Sequence, residues 1–401
     1  MTKKFQSSRS KVASVFSSRT NWQRHPNRLS QVLERRRREG APIYDLTISN
    51  PTDAGFTYPS AEILGALARG VGVPYAPDPL GLKPAREAIA AYYAGKNISV
   101  SPDHIVLTAS TSEAYGWLFM LLCDAGDNVL APVPSYPLFE YLARLHDVEL
   151  RTYHLRYDGA WHIDFDSLAQ SVTSRTRACI LVSPHNPTGA VLRRDELAWL
   201  SRFAQAHNIA LIADEVFTDY RLVEDSRQVT STAGNEGALT CTLNGISKLC
   251  GLPQWKLGWI VVSGPDAQRQ EALRRLEFIA DTFLSVNTPV QVALPELLRL
   301  GVSVRDEIQH RVRENYHFLK MAIPVGSSAS ILTTEGGWYA VLRVPRTLSD
   351  EDRAIALLDN FGVYLFPGYF FDFDESGFLV ISLLAEPAIL QSGVEAIRRA
   401  L

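Results

Sequence analysis

Four groups of polar residues stand where short apolar runs of the sequence end, and each offers a different chemical function. Asn186 follows the run CILV, Asp214 follows IALIA, and Lys248 follows LTCTLNGIS. Three hydroxyl residues lie between the run HIVLTA and a helical pattern: Ser110, Thr111 and Ser112. Because hydroxyls and free backbone amides at a helix N-terminus favour anions, this triplet predicts a phosphate site.

Each group alone has an ordinary structural explanation, since Asn-Pro-Thr-Gly is an acceptable turn and Ser-Thr-Ser is common helix capping. Their joint occurrence in this order supplies a phosphate cradle, an amide, a carboxylate and an amine. These are the parts that hold pyridoxal 5′-phosphate and carry out imine chemistry on it.

Lys248 stands in the run NGISKLCGLPQWKLGW, which is otherwise composed mostly of small, aliphatic and aromatic residues. A buried ammonium group is costly unless it is paired or chemically used. An amine must be neutral to attack a carbonyl carbon and later to take up a proton, and a depressed pKa suits both tasks. Lys248 is therefore the predicted catalytic residue.

The elements that must position these groups alternate along the chain. From about residue 100, short β-branched runs alternate with longer helical patterns. This predicts an α/β fold with a mostly parallel sheet covered by helices on both faces. Ligands of such sheets bind beyond the carboxyl ends of the strands, so the four groups should meet at one edge.

The end of the chain has a different pattern. The strands GWYAVLRV and FLVISLL flank a helix near DEDRAIALLDNFG, which predicts a smaller α+β domain. We predict a basic N-terminal arm and helix (1–40), an N-terminal segment packing with the small domain (41–70), a large cofactor-binding domain (71–300) and the small C-terminal domain (301–401).

Composition narrows the class of protein. The 401 residues carry a net charge of -3, which indicates no nucleic-acid partner. No apolar run approaches the roughly 18 to 20 residues that a membrane span needs. The four cysteines show no metal-ligand spacing, which favours a reducing, cytoplasmic location and predicts no metal site.

The N-terminus is locally basic, because residues 1–40 carry eleven Lys and Arg against two Glu. We interpret it as a flexible arm that leads into a surface helix at RLSQVLERRRREG, with a solvated stripe at residues 35–38. An organelle transit peptide and a DNA-binding extension are the alternatives.

In this combination and order the motifs resemble those of the class I/II aminotransferases, a family of fold-type I pyridoxal-phosphate enzymes. The resemblance runs from about residue 40 to the C-terminus. It implies a transaminase that moves an amino group between an amino donor and an oxo-acid acceptor by a ping-pong mechanism. Lys248 would form the Schiff base with the cofactor.

The resemblance also implies roles for the residues around the cofactor. Asp214 would pair with the pyridine nitrogen and Asn186 would donate to the ring oxygen O3′. Tyr136 would stack on one face of the ring and Val216 would close the other. The hydroxyl triplet would hold the phosphate together with Lys256, which stands where the family usually has an arginine.

Further residues are implied at the edges of the site. Tyr75 resembles a tyrosine that reaches the phosphate of the neighbouring subunit, so the active unit would be a homodimer. On the substrate side the candidates are Asn50, Arg343 and Tyr369. The last belongs to the aromatic stretch FPGYFFDFDESG, which predicts either an apolar substrate pocket or packing within the small domain.

The sequence departs from the family pattern at three further positions. Gly245 replaces a serine that often binds phosphate. Phe217 replaces a tyrosine that usually donates to O3′, and its loss should raise the pKa of the Schiff base. Val380 stands where an arginine is expected to hold the substrate carboxylate.

Three explanations for the missing arginine stay open. Arg343 could supply the charge from an adjacent strand. The substrate could be an amine or a modified amino acid without a free α-carboxylate. The fold could also serve another pyridoxal reaction, namely elimination, replacement, cyclisation or oxidation. A regulatory protein that binds the cofactor is a further alternative.

Overall fold

The structure, a computed structural model, describes residues 15–22, 27–70, 72, 74–324 and 326–400. The predictions for most of the basic arm, at residues 1–14 and 23–26, lie outside the described residues.

The strands of the described ranges, numbered in chain order, are β1 (Tyr44–Asp45), β2 (Ile105–Thr108), β3 (Asn128–Val133), β4 (Glu149–Tyr157), β5 (Trp161–Ile163), β6 (Thr176–Val182), β7 (Ala210–Asp214), β8 (Thr240–Gly245), β9 (Gly258–Ser263), β10 (Ser330–Ile331), β11 (Tyr339–Arg343), β12 (Val363–Tyr364), β13 (Phe366–Pro367) and β14 (Phe378–Ser382).

The α-helices of the same ranges, also numbered in chain order, are α1 (Arg28–Arg38), α2 (Ser60–Ala68), α3 (Lys83–Ala94), α4 (Thr111–Leu122), α5 (Leu138–Leu145), α6 (Phe165–Ser171), α7 (Arg194–His207), α8 (Ile246–Leu249), α9 (Asp266–Phe283), α10 (Thr288–Ala322), α11 (Asp350–Phe361) and α12 (Pro387–Ala400).

The large sheet has eight strands in the order β2-β9-β8-β7-β6-β3-β4-β5. The five strands from β8 to β4 pair in parallel, while β9 is antiparallel to both β2 and β8, and β5 is antiparallel to β4. The prediction of a mostly parallel sheet is confirmed. The antiparallel β9 was not among the predicted strands.

Alternating side chains of the central strands are buried on opposite faces of this sheet. In β7, Ile212 packs in a cluster with residues of α4, α5 and α9, whereas Leu211 packs in a cluster with residues of α6 and α7. Both faces are apolar, as expected of a strand that is covered on both sides. Helices therefore cover both faces, as predicted.

A smaller sheet follows in the C-terminal part, with the order β10-β11-β14-β13 and antiparallel pairing throughout. We call this sheet, with α11, α12 and the C-terminal half of α10, the small domain. The N-terminal segment joins it, because β1 pairs in parallel with β12 and Leu46 and Phe56 lie in its core. Helix α2 differs, since Ile63 and Leu67 pack in a cluster of the large domain.

Helix α10 runs through the predicted domain boundary at residues 300 and 301. Its buried residues up to Leu300 belong to the large-domain cluster with α2 and α3, and those from Val304 onwards belong to the small-domain core. The change of partner lies close to the predicted boundary, although the backbone is continuous there. The domain bounds themselves stay a prediction.

The arginine stripe of α1 is not purely solvated. Arg35 Nη2 lies 2.5 Å from Asp359 Oδ1, and Arg36 Nη1 donates to the Asp359 carbonyl at 2.7 Å. These contacts attach α1 to α11 of the small domain. In the described part of the chain, no helix is both long and apolar enough to cross a membrane.

Candidate active site

A cavity of about 490 Å³ lies where the central strands of the large sheet end. The last residues of β6, β7 and β8 all line it: Val182, Asp214 and Gly245. The small domain lines the opposite side with aromatic residues: Tyr339, Phe366, Phe370 and Phe371. The cavity thus lies between the domains, at the sheet edge where ligands of such folds bind.

Nine of the residues predicted to bind the cofactor line this cavity: Ser110, Thr111, Ser112, Tyr136, Asn186, Asp214, Val216, Lys248 and Lys256. The structure therefore brings together groups that are up to about 150 positions apart in the sequence. Their roles toward a cofactor stay predictions.

Lys248 lies in the short helix α8, three residues beyond the end of β8. Its Nζ atom is 5.1 Å from the centre of the Trp338 ring, and its carbonyl accepts a hydrogen bond from the Tyr220 hydroxyl at 2.6 Å. Burial lowers the pKa of Lys248, and the nearby Asp214 opposes that shift only in part. The amine is thus easier to deprotonate, as a nucleophilic amine requires.

Asp214 is held by two donors at the end of β7. Its Oδ1 accepts from the Val216 backbone amide at 3.2 Å, and its Oδ2 accepts from the Tyr115 hydroxyl at 3.2 Å. Burial raises the pKa of Asp214 to about 6, against these donors and the charge of Lys248. A buried carboxylate of this kind favours a cationic partner, such as a protonated ring nitrogen.

Tyr115 was missed by sequence reasoning. It lies in α4, five residues after the helix N-cap, and is buried with its hydroxyl on the Asp214 carboxylate. The sequence contained one signal, a tyrosine within the otherwise apolar stretch AYGWLFMLL, because buried tyrosine hydroxyls usually find a partner.

Asn186 lies in the loop between β6 and α7. Its side-chain oxygen Oδ1 is buried and has no hydrogen-bond partner among the described residues. Buried polar atoms without partners are rare in folded proteins, so this amide is suited to a polar group of a ligand.

The hydroxyl triplet forms the N-terminal end of α4. Ser110 is the N-cap, and its Oγ accepts from the Glu113 amide at 3.2 Å. Glu113 Oε2 accepts in return from the Ala109 amide at 2.6 Å. This reciprocal capping fixes the first turn, and the next two residues, Thr111 and Ser112, line the cavity at the positive end of the helix dipole.

Gly245 has a packing reason for lacking a side chain. A Cβ atom there would lie 2.9 Å from the Leu257 carbonyl oxygen and 3.0 Å from Gly258 Cα. Gly258 is itself close to the cradle, since a Cβ on it would lie 3.2 Å from the Ser110 carbonyl carbon. The close pairing of β8 and β9 therefore disfavours a serine at residue 245, and Lys256, two residues before β9, lines the same cavity as the hydroxyl triplet.

Phe217 lines the cavity and packs edge-on against Trp338, with ring centres 5.1 Å apart. Its position offers no hydroxyl to a ligand. The aromatic wall of the small domain, Phe366, Phe370 and Phe371, is held by mutual ring contacts at 5.8 and 6.2 Å. These three residues of the aromatic stretch pack together and also line the cavity, and a role in binding substrate stays a prediction.

Three predicted substrate residues do not line the cavity. Arg343 is exposed at the far end of β11, four residues beyond the cavity-lining Tyr339, a distance of about 13 Å along a strand. Tyr369 is 41% exposed, and its hydroxyl donates to Glu351 at 3.3 Å. Asn50 caps the 3₁₀ helix 51–53, where its side chain bonds within its own turn. Strand length and local hydrogen bonds place all three away from the cavity lining, and their roles toward a substrate stay predictions.

Two other predicted positions lie outside the cavity. Val380 is fully buried in the small-domain core, between Val341 and Phe366 in neighbouring strands. Tyr75 is 79% exposed on the surface of this chain, and its role toward a neighbouring subunit stays a prediction.

The cavity contains no guanidinium group from the described residues. Lys248 and Lys256 are the cations that line it within those residues. The first is buried near Asp214, and the second lines the cavity together with the hydroxyl triplet. Since Arg343 is remote, the charge that usually binds a substrate carboxylate is not supplied by the described part of this chain.

Comparison with known proteins gives a family match over most of the chain. Residues 42–397 match the profile of the family described as aminotransferase class I and II. The chain is 31% identical over 262 residues to glutamate-pyruvate aminotransferase AlaA of Escherichia coli strain K12, covering 65% of this chain and 64% of that protein. It is 30% identical over 275 residues to alanine aminotransferase of Mycobacterium tuberculosis, covering 67% and 63%. The matches thus span less than two thirds of these relatives.

Solved structures show the same fold at low sequence identity. Alanine aminotransferase from Pyrococcus furiosus superposes with a TM-score of 0.84 at 23% identity, over 93% of this chain and 95% of that one. Tyrosine aminotransferase from Leishmania infantum gives 0.79 at 21% identity, over 94% and 98%. The predicted fold, a large α/β domain with a smaller α+β domain, is confirmed.

Proposed function

Since the chain belongs to the class I and II aminotransferase family, we propose that it binds pyridoxal 5′-phosphate and transfers an amino group from an amino donor to an oxo-acid acceptor. The observation that carries this proposal is the buried amine of Lys248 beside the buried carboxylate of Asp214, in a cavity at the strand ends. The relatives named alanine and glutamate-pyruvate aminotransferases support the same reaction type.

The residues present fit this cofactor at both of its ends. The hydroxyl triplet, the α4 N-terminus and Lys256 would hold the phosphate, since together they provide donors and positive charge. Asp214, supported by Tyr115, would hold the ring nitrogen, and the Nδ2 group of Asn186 would donate to the ring oxygen O3′. Tyr136 and the side chain of Val216 would cover the two ring faces.

When bound, pyridoxal phosphate supplies an aldehyde that condenses with amines and a ring that takes up electrons from the adjacent carbon. Lys248 would act as nucleophile and then as base, taking the proton from the carbon that bears the donor's amino group. Burial lowers the pKa of Lys248, which makes the amine easier to deprotonate. Asp214 would keep the ring nitrogen protonated by pairing with it.

The aromatic side of the cavity would exclude water from the reacting atoms. Phe366, Phe370 and Phe371 face the strand ends from the small domain, and the Phe371 carbonyl accepts a hydrogen bond from the Ser135 amide at 2.7 Å. This bond joins the two domains next to Tyr136. A drier site strengthens the interactions of Lys248 and Asp214 with their partners.

We propose that the active unit is a homodimer in which Tyr75 reaches the phosphate of the partner's site. The exposure of Tyr75 supports this assignment. Tyr75→Phe should weaken cofactor binding without changing the dimer, as measured by cofactor titration and sedimentation velocity.

We also propose a cytoplasmic location, because Cys123, Cys179, Cys241 and Cys250 are free thiols.

The test of the proposed function is amino transfer by the cofactor-loaded protein. Incubated with an amino donor and pyruvate, it should form alanine and the donor's carbonyl product in equal amounts, with no free ammonia. Ammonia release that does not depend on an acceptor would contradict amino transfer.

That contrary result would support a second candidate, another pyridoxal-phosphate reaction on an amino acid derivative. The observation that favours it is the cavity without a guanidinium among the described residues, since a standard amino acid carries a carboxylate that must be held. Elimination or replacement would release the donor's leaving group, which the same incubation detects.

A further inference from the structure

The cavity has two hydroxyl groups on its small-domain side that no predicted role uses. Tyr339, the first residue of β11, and Ser49, in the loop after β1, both line the cavity. Tyr339 is only 7% exposed, although it carries a polar group into an otherwise aromatic wall. A buried phenol usually has a partner, so its place in the cavity requires an explanation.

The backbone holds these two residues side by side. Tyr339 and Ser382 are register partners in β11 and β14. Ser382 Oγ in turn donates to the Ile48 carbonyl, and the Ser382 amide donates to the Leu46 carbonyl at 2.8 Å. Strand β14 therefore holds the loop that carries Ser49 close to the start of β11, and burial raises the pKa of the Tyr339 phenol.

The two hydroxyls lie on the side of the cavity where a group is needed to bind the substrate carboxylate in place of the missing arginine. The large-domain side of the cavity carries the groups assigned to the cofactor, namely the hydroxyl triplet, Asn186, Asp214, Lys248 and Lys256. The small-domain side carries the aromatic residues, with Tyr339 and Ser49 as its hydrogen-bond donors. A substrate between these sides would have its carboxylate beside neutral donors.

We infer that the hydroxyls of Tyr339 and Ser49 bind the α-carboxylate of the amino and oxo acids, in place of an arginine. This inference rests on the proposed function. Both hydroxyls donate to the carboxylate oxygens, and the phenyl rings of the wall contact an apolar substrate side chain. The substrates are then amino acids with one carboxylate and an apolar side chain, because a second carboxylate would meet the rings without a counter-charge.

The test compares two amino donors, one with an α-carboxylate and one with an uncharged amide in its place. L-Phenylalanine and L-phenylalaninamide share the amino group and the side chain, but the amide has no carboxylate. The cofactor-loaded protein, in its native oligomeric state, is mixed with each donor. The second-order rate constant of the first half-reaction is measured by absorbance and corrected for the fraction of free amine.

Tyr339→Phe should lower the rate constant for phenylalanine by about 10- to 100-fold, the range for losing a hydrogen bond to a charged group. The rate constant for phenylalaninamide should fall by clearly less, about threefold, because a hydrogen bond to its uncharged amide oxygen is weaker than one to a carboxylate. Ser49→Ala should act in the same direction. Tyr141→Phe, which removes an exposed hydroxyl outside the cavity, is the matched control and should leave both rate constants unchanged.

An equal loss for the two donors would mean that Tyr339 only supports the fold, and an unchanged rate with phenylalanine would also overturn the inference. So would an unmodified protein that prefers the amide, which would indicate a substrate without a carboxylate. The proposed function fails separately, if the cofactor is bound but no donor passes its amino group to an oxo acid.

Discussion

The two sides of the cavity are built from different kinds of residue. The large-domain side consists of polar groups at the ends of parallel strands, and its side chains are held by short-range contacts such as those to Asp214 and Ser110. The small-domain side is aromatic and comes from the segment 366–371 and from β11. The first is suited to holding a charged cofactor and moving protons, the second to selecting a substrate.

This contrast indicates that the residues for the reaction and the residues for substrate selection lie on different domains. The groups that must be placed to within fractions of an ångström lie on a sheet buried on both faces. The selecting groups lie on a second domain, where their replacement leaves the polar side intact. Substitutions on the two sides should therefore have different kinds of effect.

The largest effect is expected for Lys248→Ala on the polar side. Turnover should fall at least ~10⁴-fold, because both the nucleophile and the base are lost, and base catalysis alone supplies about 10² to 10⁴-fold. Circular dichroism should show an unchanged fold. The control Lys256→Ala should keep turnover at saturating cofactor but bind the cofactor more weakly. More than about one per cent residual activity in Lys248→Ala would contradict the role assigned to Lys248.

The next largest effect is expected for Asp214→Asn. An amide does not keep the ring nitrogen charged, so turnover should fall about 10²- to 10³-fold, the range for losing one preorganised electrostatic partner. Tyr115→Phe should lose about tenfold or less, because Asp214 keeps the donor from Val216. The ratio of the two effects is measured by steady-state turnover at saturating cofactor, and equal losses would contradict the assignment of Asp214 as the ring partner.

The same carboxylate predicts a pH dependence of cofactor binding. The pKa of Asp214 is raised to about 6, so the group is charged above pH 6 and takes up a proton below it. A cationic ring nitrogen lowers that pKa, so affinity should be constant above pH 6 and fall up to tenfold per pH unit below it. Equilibrium dialysis measures the cofactor affinity of the protein and of Asp214→Asn across this pH range, and the comparison separates the titration of Asp214 from that of the cofactor. The same pH dependence in both proteins would contradict the prediction.

A smaller effect on stability is expected for Gly245→Ser, the residue usual in the family. Its Cβ would lie 2.9 Å from the Leu257 carbonyl oxygen, and such overpacking typically costs about 1 to 3 kcal/mol. Urea unfolding measures the change. Gly65→Ser is the control, because nothing lies within 4 Å of a Cβ at that exposed position, and its free energy of unfolding should change by less than about 0.5 kcal/mol.

The smallest effect concerns Phe217, which lies between the two sides. Phe217→Tyr restores a donor near the ring hydroxyl, so the pH midpoint of the cofactor's visible absorbance should fall by about one unit. Phe217→Leu, which adds no donor, should leave the midpoint in place. An equal shift in both variants would show that packing against Trp338, not the hydroxyl, sets the midpoint.

The polar side was largely predictable from sequence, and the reasons are local. Asp214, Lys248 and the hydroxyl triplet each follow an apolar run, and parallel strand ends meet at one edge by geometry alone. Tyr115 was not predicted, because nothing in a buried helix indicates which strand end its hydroxyl will meet. β9 was missed as well, since its run GWIVVS follows directly on a loop already assigned to chemistry.

The aromatic side was predicted only in outline. Whether a residue of the small domain reaches the cavity depends on how far along a strand it lies and on how the two domains dock, and neither appears in a sequence pattern. Arg343 and Tyr339 lie in the same short strand, yet only Tyr339 lines the cavity. The loop that carries Ser49 is held by Ser382 of β14, a residue more than 300 positions further along the chain.

The most direct test of the central claim is to map the attachment of the cofactor. The purified protein is loaded with pyridoxal 5′-phosphate, reduced with borohydride and digested, and the modified peptide is identified by mass spectrometry. We predict a single modified residue, Lys248, and none in Lys248→Ala. Attachment to another lysine, or none at all in a correctly folded protein, would contradict the account.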